Sequence, residues 1–242
     1  MPRDDAAMQE ESEYGRYCPI SMASEVLADR WTPLILRELI HGSTRFNDIA
    51  RGLPGISRSL LVKRLKHLEE CHVLDRWPLP SGKGHEYHLT PAGTGLEPIL
   101  VDLGRWAVEW LYDELRHTDV DATTLMWWMH RYIDTAALPP KRVVVEFAHT
   151  APVRETVWIV LEPGGASICT IHPRFETDVA VRAATPALGA IFIGTDSWTA
   201  AIRSGRVEVS GPAHLTRSIT RWFRPSVFAD DIRRASRQHA TA

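Results

Sequence analysis

Cysteine is scarce in this chain. Cys18, Cys71 and Cys169 are the only three in 242 residues, and they stand far apart. No pair has metal-ligand spacing, and an odd, dispersed set makes no disulfide framework. So few thiols fit a reducing compartment. Long apolar runs are also missing, since nothing approaches the ~20 residues that a membrane helix needs. The N-terminus has no basic segment followed by an apolar one, so no secretory signal is read there. A cytoplasmic location with no membrane partner is the expectation. Glycine-rich phosphate loops, a G-x-S-x-G elbow and paired acid–base signatures are absent as well. His130, His149, His172 and His214 are scattered without ligand spacing. No catalytic residue, no metal and no cofactor are therefore expected. The net charge is small, formally −2 from 28 Lys+Arg and 30 Asp+Glu. Any affinity for a polyanion must then come from a local cluster. There are no internal repeats or low-complexity runs.

What is present points to two folded parts. The length suits two modest domains or one larger one, and 44% hydrophobic with 24% charged residues is enough to bury a core. Residues 1–14, rich in Asp4, Asp5, Glu10, Glu11 and Glu13, read as a disordered tail. A polar stretch, His117–Ala122, sets the expected boundary: residues 15–117 form one domain and residues 118–235 another.

In the first part, Ser21–Ala28 reads as a short helix. A second follows over Arg30–Gly42, with Thr32 as cap, Pro33 in the first turn and Gly42 as stop. Thr44–Gly52 is a third helix, with Phe46, Ile49 and Leu53 inward, and Pro54-Gly55 is a turn. A fourth helix runs from Ser57 to Cys71. Ile56, Leu60, Leu61, Leu65 and Leu68 give it a buried side, so Ser57, Arg58, Ser59, Val62, Lys63 and Lys66 fall largely opposite. Two strands, Val73–Pro78 and His85–Leu89, flank a glycine-rich tip that carries Lys83. Pro91–Leu115 reads as one long helix. Its apolar surface exceeds what one small domain buries, which calls for a partner helix from a second subunit. Residues 44–68 hold Arg45, Arg51, Arg58, Lys63, Arg64 and Lys66 against Asp48 alone. Three helices and a two-stranded ribbon with a basic tip make a winged helix-turn-helix. Its exposed helix face fits the DNA major groove, and its cations neutralise phosphates.

The first part closely resembles the HxlR-type branch of bacterial winged-helix regulators. The resemblance runs from Cys18-Pro19 through Arg30-Trp31-Thr32-Pro33-Leu34-Ile35-Leu36, Gly42 and Arg45-Phe46-Asn47-Asp48-Ile49. It continues through Leu53-Pro54-Gly55-Ile56-Ser57, Leu60, Leu65, Leu68-Glu69 and Glu86-Tyr87-His88-Leu89-Thr90-Pro91-Ala92-Gly93, ending near Leu96, Leu103 and Trp106. That is well under half of the chain. It implies a homodimer joined by the first helix and the long helix, and double-stranded DNA with a palindrome-like operator as partner. It also implies a recognition helix at Ser57–Cys71. The DNA contacts carried over are Arg45, Ser57, Arg58, Ser59, Lys63, Arg64 and Lys66, with Lys83 on the wing. Arg51 and Lys66 read equally well as charges that only solvate a helix. In this branch a small residue and glycine usually follow the recognition helix. Here Cys71-His72 stands instead, so a somewhat different capping turn is expected. Some relatives sense oxidants or electrophiles through a cysteine just before the first helix. Cys18 occupies that place, either as a sensor thiol or as a small packing residue.

The second part reads as α+β with an antiparallel sheet. A helix over Ala122–Thr135 precedes strands at Arg142–His149, Glu155–Leu161, Ala166–Ile171 and Asp178–Ala184. Helices at Thr185–Gly194 and Ser197–Ser204, a strand at Val207–Ser210 and a last helix at His214–Phe223 complete it. This order resembles the sterol carrier protein-like fold, most clearly in Val181-Arg182-Ala183, Thr195–Pro212 and Leu215–Ile219. The resemblance implies a pocket for an apolar or amphipathic effector, lined by Trp127, Trp128, Phe147, Trp158, Phe192, Trp198, Trp222 and Phe223. These aromatics read equally as plain core. The main expectation is a dimeric transcriptional regulator with a small-molecule effector. A small-molecule carrier, or a redox regulator acting through Cys18, are the alternatives.

Overall fold

Leu61, Leu65 and Leu68 recur at the spacing that puts side chains on one face of a helix, and all three are fully buried. The computed structural model, which describes residues 17–111 and 120–239, places them on a helix at Arg58–Glu70. The chain divides into two compact units, Met1–Leu100 and Val101–Ala242. The expected tail at 1–14, the end of the long helix through Leu115 and the 117/118 boundary lie outside the described residues. The division into units falls earlier, inside a helix.

The first unit begins with α1 (Pro19–Leu27), α2 (Thr32–Ile40), α3 (Phe46–Arg51) and α4 (Arg58–Glu70). Pro19 and Pro33 each stand in a first turn, where a missing N–H is harmless. Thr32 is not the cap of α2. Trp31 occupies that position, and Thr32 is buried with its hydroxyl unpaired among the described residues. Ile35, Leu36 and Leu39 of α2, Ile49 of α3 and Leu53 join the three leucines of α4 in one core. Ile56 packs against it half-buried, whereas Leu60 is half-buried and not part of it. Gly52 follows α3 because Glu38 packs against it: a Cβ there would lie 2.0 Å from Glu38 Oε2. The hairpin of β1 (Leu74–Pro78) and β2 (His85–Leu89) pairs Leu74 with Leu89 and Pro78 with His85. Positive φ at Gly82 and Gly84 closes its tip.

Pro91–Leu115 is not one helix. The chain forms α5 (Pro91–Thr94), capped by the Thr90 hydroxyl, and then α6 (Glu97–Trp110). Pro98 explains the break. It has no N–H to offer the Thr94 carbonyl, and its ring crowds the preceding turn.

In the second unit, α7 (Ala122–Arg131) ends before the expected Thr135, and a 3₁₀ turn covers Thr135–Ala137. Five strands follow: β3 (Val143–His149), β4 (Glu155–Glu162), β5 (Gly165–Cys169), β6 (Val179–Ala183) and β7 (Val207–Ser210). Their order is β5-β4-β3-β6-β7. The sheet is mixed rather than antiparallel, because β6 runs parallel to β3. A hairpin after β5 would have put β6 antiparallel on its free edge. Residues 170–178 instead cross back over the sheet and deliver the chain to β3. Val143, Val145 and Phe147 pair with Leu161, Ile159 and Val157 on the face that α7, α8 (Thr185–Ile193), α9 (Trp198–Arg203) and α11 (Ile219–Trp222) cover. The expected last helix is two short ones, α10 (Ala213–Thr216) and α11. A further helix, α12 (Ala229–His239), was not expected. Its Ile232 and Ala235 pack on Val108.

The turn after α4 keeps the geometry that glycine normally supplies. His72 N donates to Glu69 O and Val73 N to Leu68 O, at 3.0 and 2.9 Å, with His72 at φ 55°. This is a Schellman cap carrying a side chain in the left-handed region. The left-handed backbone costs a non-glycine residue roughly 1–2 kcal/mol. His72→Gly should therefore raise stability by about 1 kcal/mol, read as a higher Tm. An unchanged or lower Tm would contradict this account of the turn.

Candidate nucleic-acid interface

The Ser57 hydroxyl caps α4 by accepting from Leu60 N at 3.2 Å, and it also contacts Ser59 Oγ at 3.2 Å. With the leucines turned inward, Arg58, Ser59, Val62, Lys63 and Lys66 form the exposed side. Arg58 is held in place. Its guanidinium donates to Asn47 Oδ1 at 3.1 Å and lies 4.9 Å from the centre of the Phe46 ring. Asn47 and Phe46 open α3, so α3 sets the direction of the first cation of α4. Lys66 meets Glu70 at 3.3 Å in an exposed pair of the kind worth at most ~0.5 kcal/mol, weak enough for a phosphate to replace. Lys63 is exposed, and no ion pair among the described residues involves it.

Two more predicted cations stand on or beside the wing. Arg45 is exposed and its backbone pairs with that of Glu86 of β2 in an isolated antiparallel β-bridge, while Tyr87 N donates to Thr44 O at 2.8 Å. The segment before α3 thus adds to the hairpin edge and sets Arg45 beside the wing. Lys83 is exposed at the hairpin tip. Arg64 stands apart from the group. Helical phase carries it toward the α1–α2 connection, where it pairs with Asp29 and is only 23% exposed. Sequence reasoning missed Asn47 as the tether of Arg58. It also missed Trp77, an exposed wing residue whose ring stacks on His88 at 4.2 Å. The Asn47–Arg58 contact joins two helices, so no single helical period reveals it.

Cys18 occupies the N-cap position of α1 and is exposed. On α6, Ile99, Leu103, Trp106 and Trp110 are each more than half exposed, and their spacing aligns them in one stripe.

The aromatics expected around a pocket divide between the two sides of the sheet. Phe147, Phe192, Trp198, Trp222 and Phe223 belong to the main core, with Phe147 edge-on to Phe223 at 5.2 Å. Trp127 is buried beside Arg131, and Trp128 packs half-buried on that core. Trp158 is not among them. Strand alternation turns it to the opposite face, where Nε1 donates to Glu146 Oε2 at 3.1 Å and the ring meets His172 of the crossover. Trp198 Nε1 and His149 Nε2 are buried with no hydrogen-bond partner among the described residues. Among the described residues no group of three or more His, Cys, Asp or Glu is placed to hold a metal ion. No helix among them is long and apolar enough to cross a membrane.

Part of the chain is similar to known proteins. The family described as HxlR-like helix-turn-helix matches residues 26–115. The chain is similar to the uncharacterized HTH-type transcriptional regulator YvaP of Bacillus subtilis, 41% identical over 96 residues that cover 39% of this chain and 89% of that protein. It is similar to the uncharacterized HTH-type transcriptional regulator Rv3095 of Mycobacterium tuberculosis, 44% identical over 93 residues, which are 38% of this chain and 58% of that one. Among solved structures, quinone-bound YodB from B. subtilis matches 38% of this chain and 99% of its own length, at 34% identity and a TM-score of 0.35.

His149 gives this part of the chain a pH dependence. Its Nδ1 lies 2.9 Å from the Thr185 hydroxyl, and burial pushes its pKa below the ordinary 6.5, with Glu155 acting weakly the other way. Above pH 6.5 the imidazole is neutral in both folded and unfolded chains, and the fold keeps its full stability. Below it the unfolded chain takes up a proton that the folded one resists, so stability falls. Between about pH 7.5 and 5, the Tm of wild type should drop more steeply than that of His149→Gln. Parallel curves would show that His149 is not the group responsible.

Proposed function

Because the chain belongs to the HxlR-like helix-turn-helix family of transcriptional regulators, we propose that it acts as a homodimer that sets α4 in the DNA major groove. One observation carries this reading: a Ser57-capped helix with Leu61, Leu65 and Leu68 turned inward and Arg58, Lys63 and Lys66 turned to solvent. Arg45 and Lys83 flank that face from the wing side and would reach backbone phosphates. Arg64 serves instead by fastening α4 to Asp29. The exposed stripe on α6, together with Tyr17, Ile20 and Met22 near α1, supports dimerisation, since apolar surface of this kind is usually covered by a second copy. A two-fold dimer calls for a palindromic operator with half-sites one helical turn apart, about 34–36 Å.

The second unit is the proposed effector part. Its support is the resemblance to the sterol carrier protein-like fold, together with the unpaired Trp198 Nε1 and His149 Nε2. These would orient the polar end of an otherwise apolar ligand. A ligand bound there controls transcription only if it prefers one DNA-binding state of the dimer over the other.

The test of DNA binding is its salt dependence. Arg58→Ala and Lys63→Ala should each weaken duplex binding and reduce the slope of log K against log salt by about 0.9 per lost phosphate contact. Unchanged affinity and slope in both variants would remove α4 from the interface.

A second reading rests on Cys18, exposed at the start of α1. As a sensor thiol it would be modified by diamide or a quinone, and DNA would be released. Release should then occur in wild type and fail in Cys18→Ser. Equal release from both excludes it.

A further inference from the structure

We infer that Val62 reads thymine in the operator by packing on its 5-methyl group, a proposal that rests on α4 entering the major groove. Val62 is 55% exposed at the middle of α4. The leucine core of that unit does not use it, for Val62 is absent from both the buried cluster and the side chains packed against it. It is also the only apolar residue on the exposed face. A helix turns about 100° per residue. Arg58 therefore lies one turn before Val62 and Lys66 one turn after, with Ser59 and Lys63 alongside.

A β-branched residue on a water-facing helix position gains nothing for the helix, because its χ1 freedom is restricted and its helix propensity is low. The same stiffness suits it to contact, since little rotamer freedom remains to be lost on binding. The cationic surroundings narrow the choice of occupant. A second copy of this face would bring Arg58 and Lys63 against like charges, whereas a duplex brings phosphates to the cations. Among the major-groove edges of the four bases, the thymine methyl is the one apolar substituent. An isolated valine between cations that reach phosphates is complementary to that group. The Arg58 guanidinium, fixed by Asn47 and Phe46, limits how the helix can lie and so keeps Val62 at a defined base step.

The test uses the full-length protein. An operator is first selected from random duplex DNA. Each thymine is then replaced in turn by deoxyuridine, which removes the methyl and leaves pairing intact, and affinities are measured for wild type and Val62→Ala. One thymine per half-site should matter, its replacement weakening wild type about four-fold, the value of one buried methyl. Val62→Ala should bind the thymine and deoxyuridine duplexes equally, with the Tm and salt slope of wild type. Placing 5-methylcytosine at that step, which presents the same methyl, should restore part of the loss for wild type only. A selected operator that tolerates every deoxyuridine, or a Val62→Ala protein that still discriminates, overturns the thymine contact alone. Selection that enriches no sequence overturns the reading of α4 as well.

Discussion

Burial of Leu61, Leu65 and Leu68 against α2 and α3 is the constraint from which the rest of the first unit follows. These side chains fix the rotation of α4 about its own axis, so what lies opposite must face water. Each of them, cut back to alanine in a closed core, would cost about 2–5 kcal/mol. Exposed ion pairs such as Lys66–Glu70 carry far less. Packing therefore decides the orientation of α4 and leaves Lys63 and Lys66 on its outward side. Two contacts refine that orientation. Arg64 with Asp29 ties down one flank, and Arg58 with Asn47 aims a guanidinium from the other.

Strand alternation does comparable work in the second unit. It sends Val157, Ile159 and Leu161 into the helix-covered core and Trp158 to the other face, where the crossover at 170–178 lies over it through His172 and Thr177. That crossover also makes the sheet mixed. The core beneath the helices is almost wholly apolar. The unpaired nitrogens of His149 and Trp198 are therefore conspicuous, since buried polar atoms are nearly always satisfied.

Local features were legible in the sequence, and non-local ones were not. The leucine period of α4 and the glycine-rich wing tip each depend on neighbours a few residues away, and each is found where the sequence places it, whereas Ser57, expected inside the helix, is its cap. The exposure of Ser59, Lys63 and Lys66 follows from the same period. Arg64 belongs to the same basic run, but the pattern could not show Asp29 waiting beside it. Parallel pairing of β6 with β3 depends on the route of a loop, which leaves no periodic trace. Pro98 was visible, yet the apolar residues around it favoured an unbroken helix. The helix at Ala229–His239 buries only small residues and one isoleucine, too faint a stripe to detect. His72 shows the reverse case: a residue type that argued against the usual turn adopts its backbone all the same.

The central claim is that the outward face of α4 touches duplex DNA. A photo-crosslinking residue placed at position 63 of the full-length protein tests it most directly. The account predicts light-dependent crosslinks to operator duplex that unlabelled operator competes away. Crosslinks formed only within the protein, at saturating DNA, would contradict it.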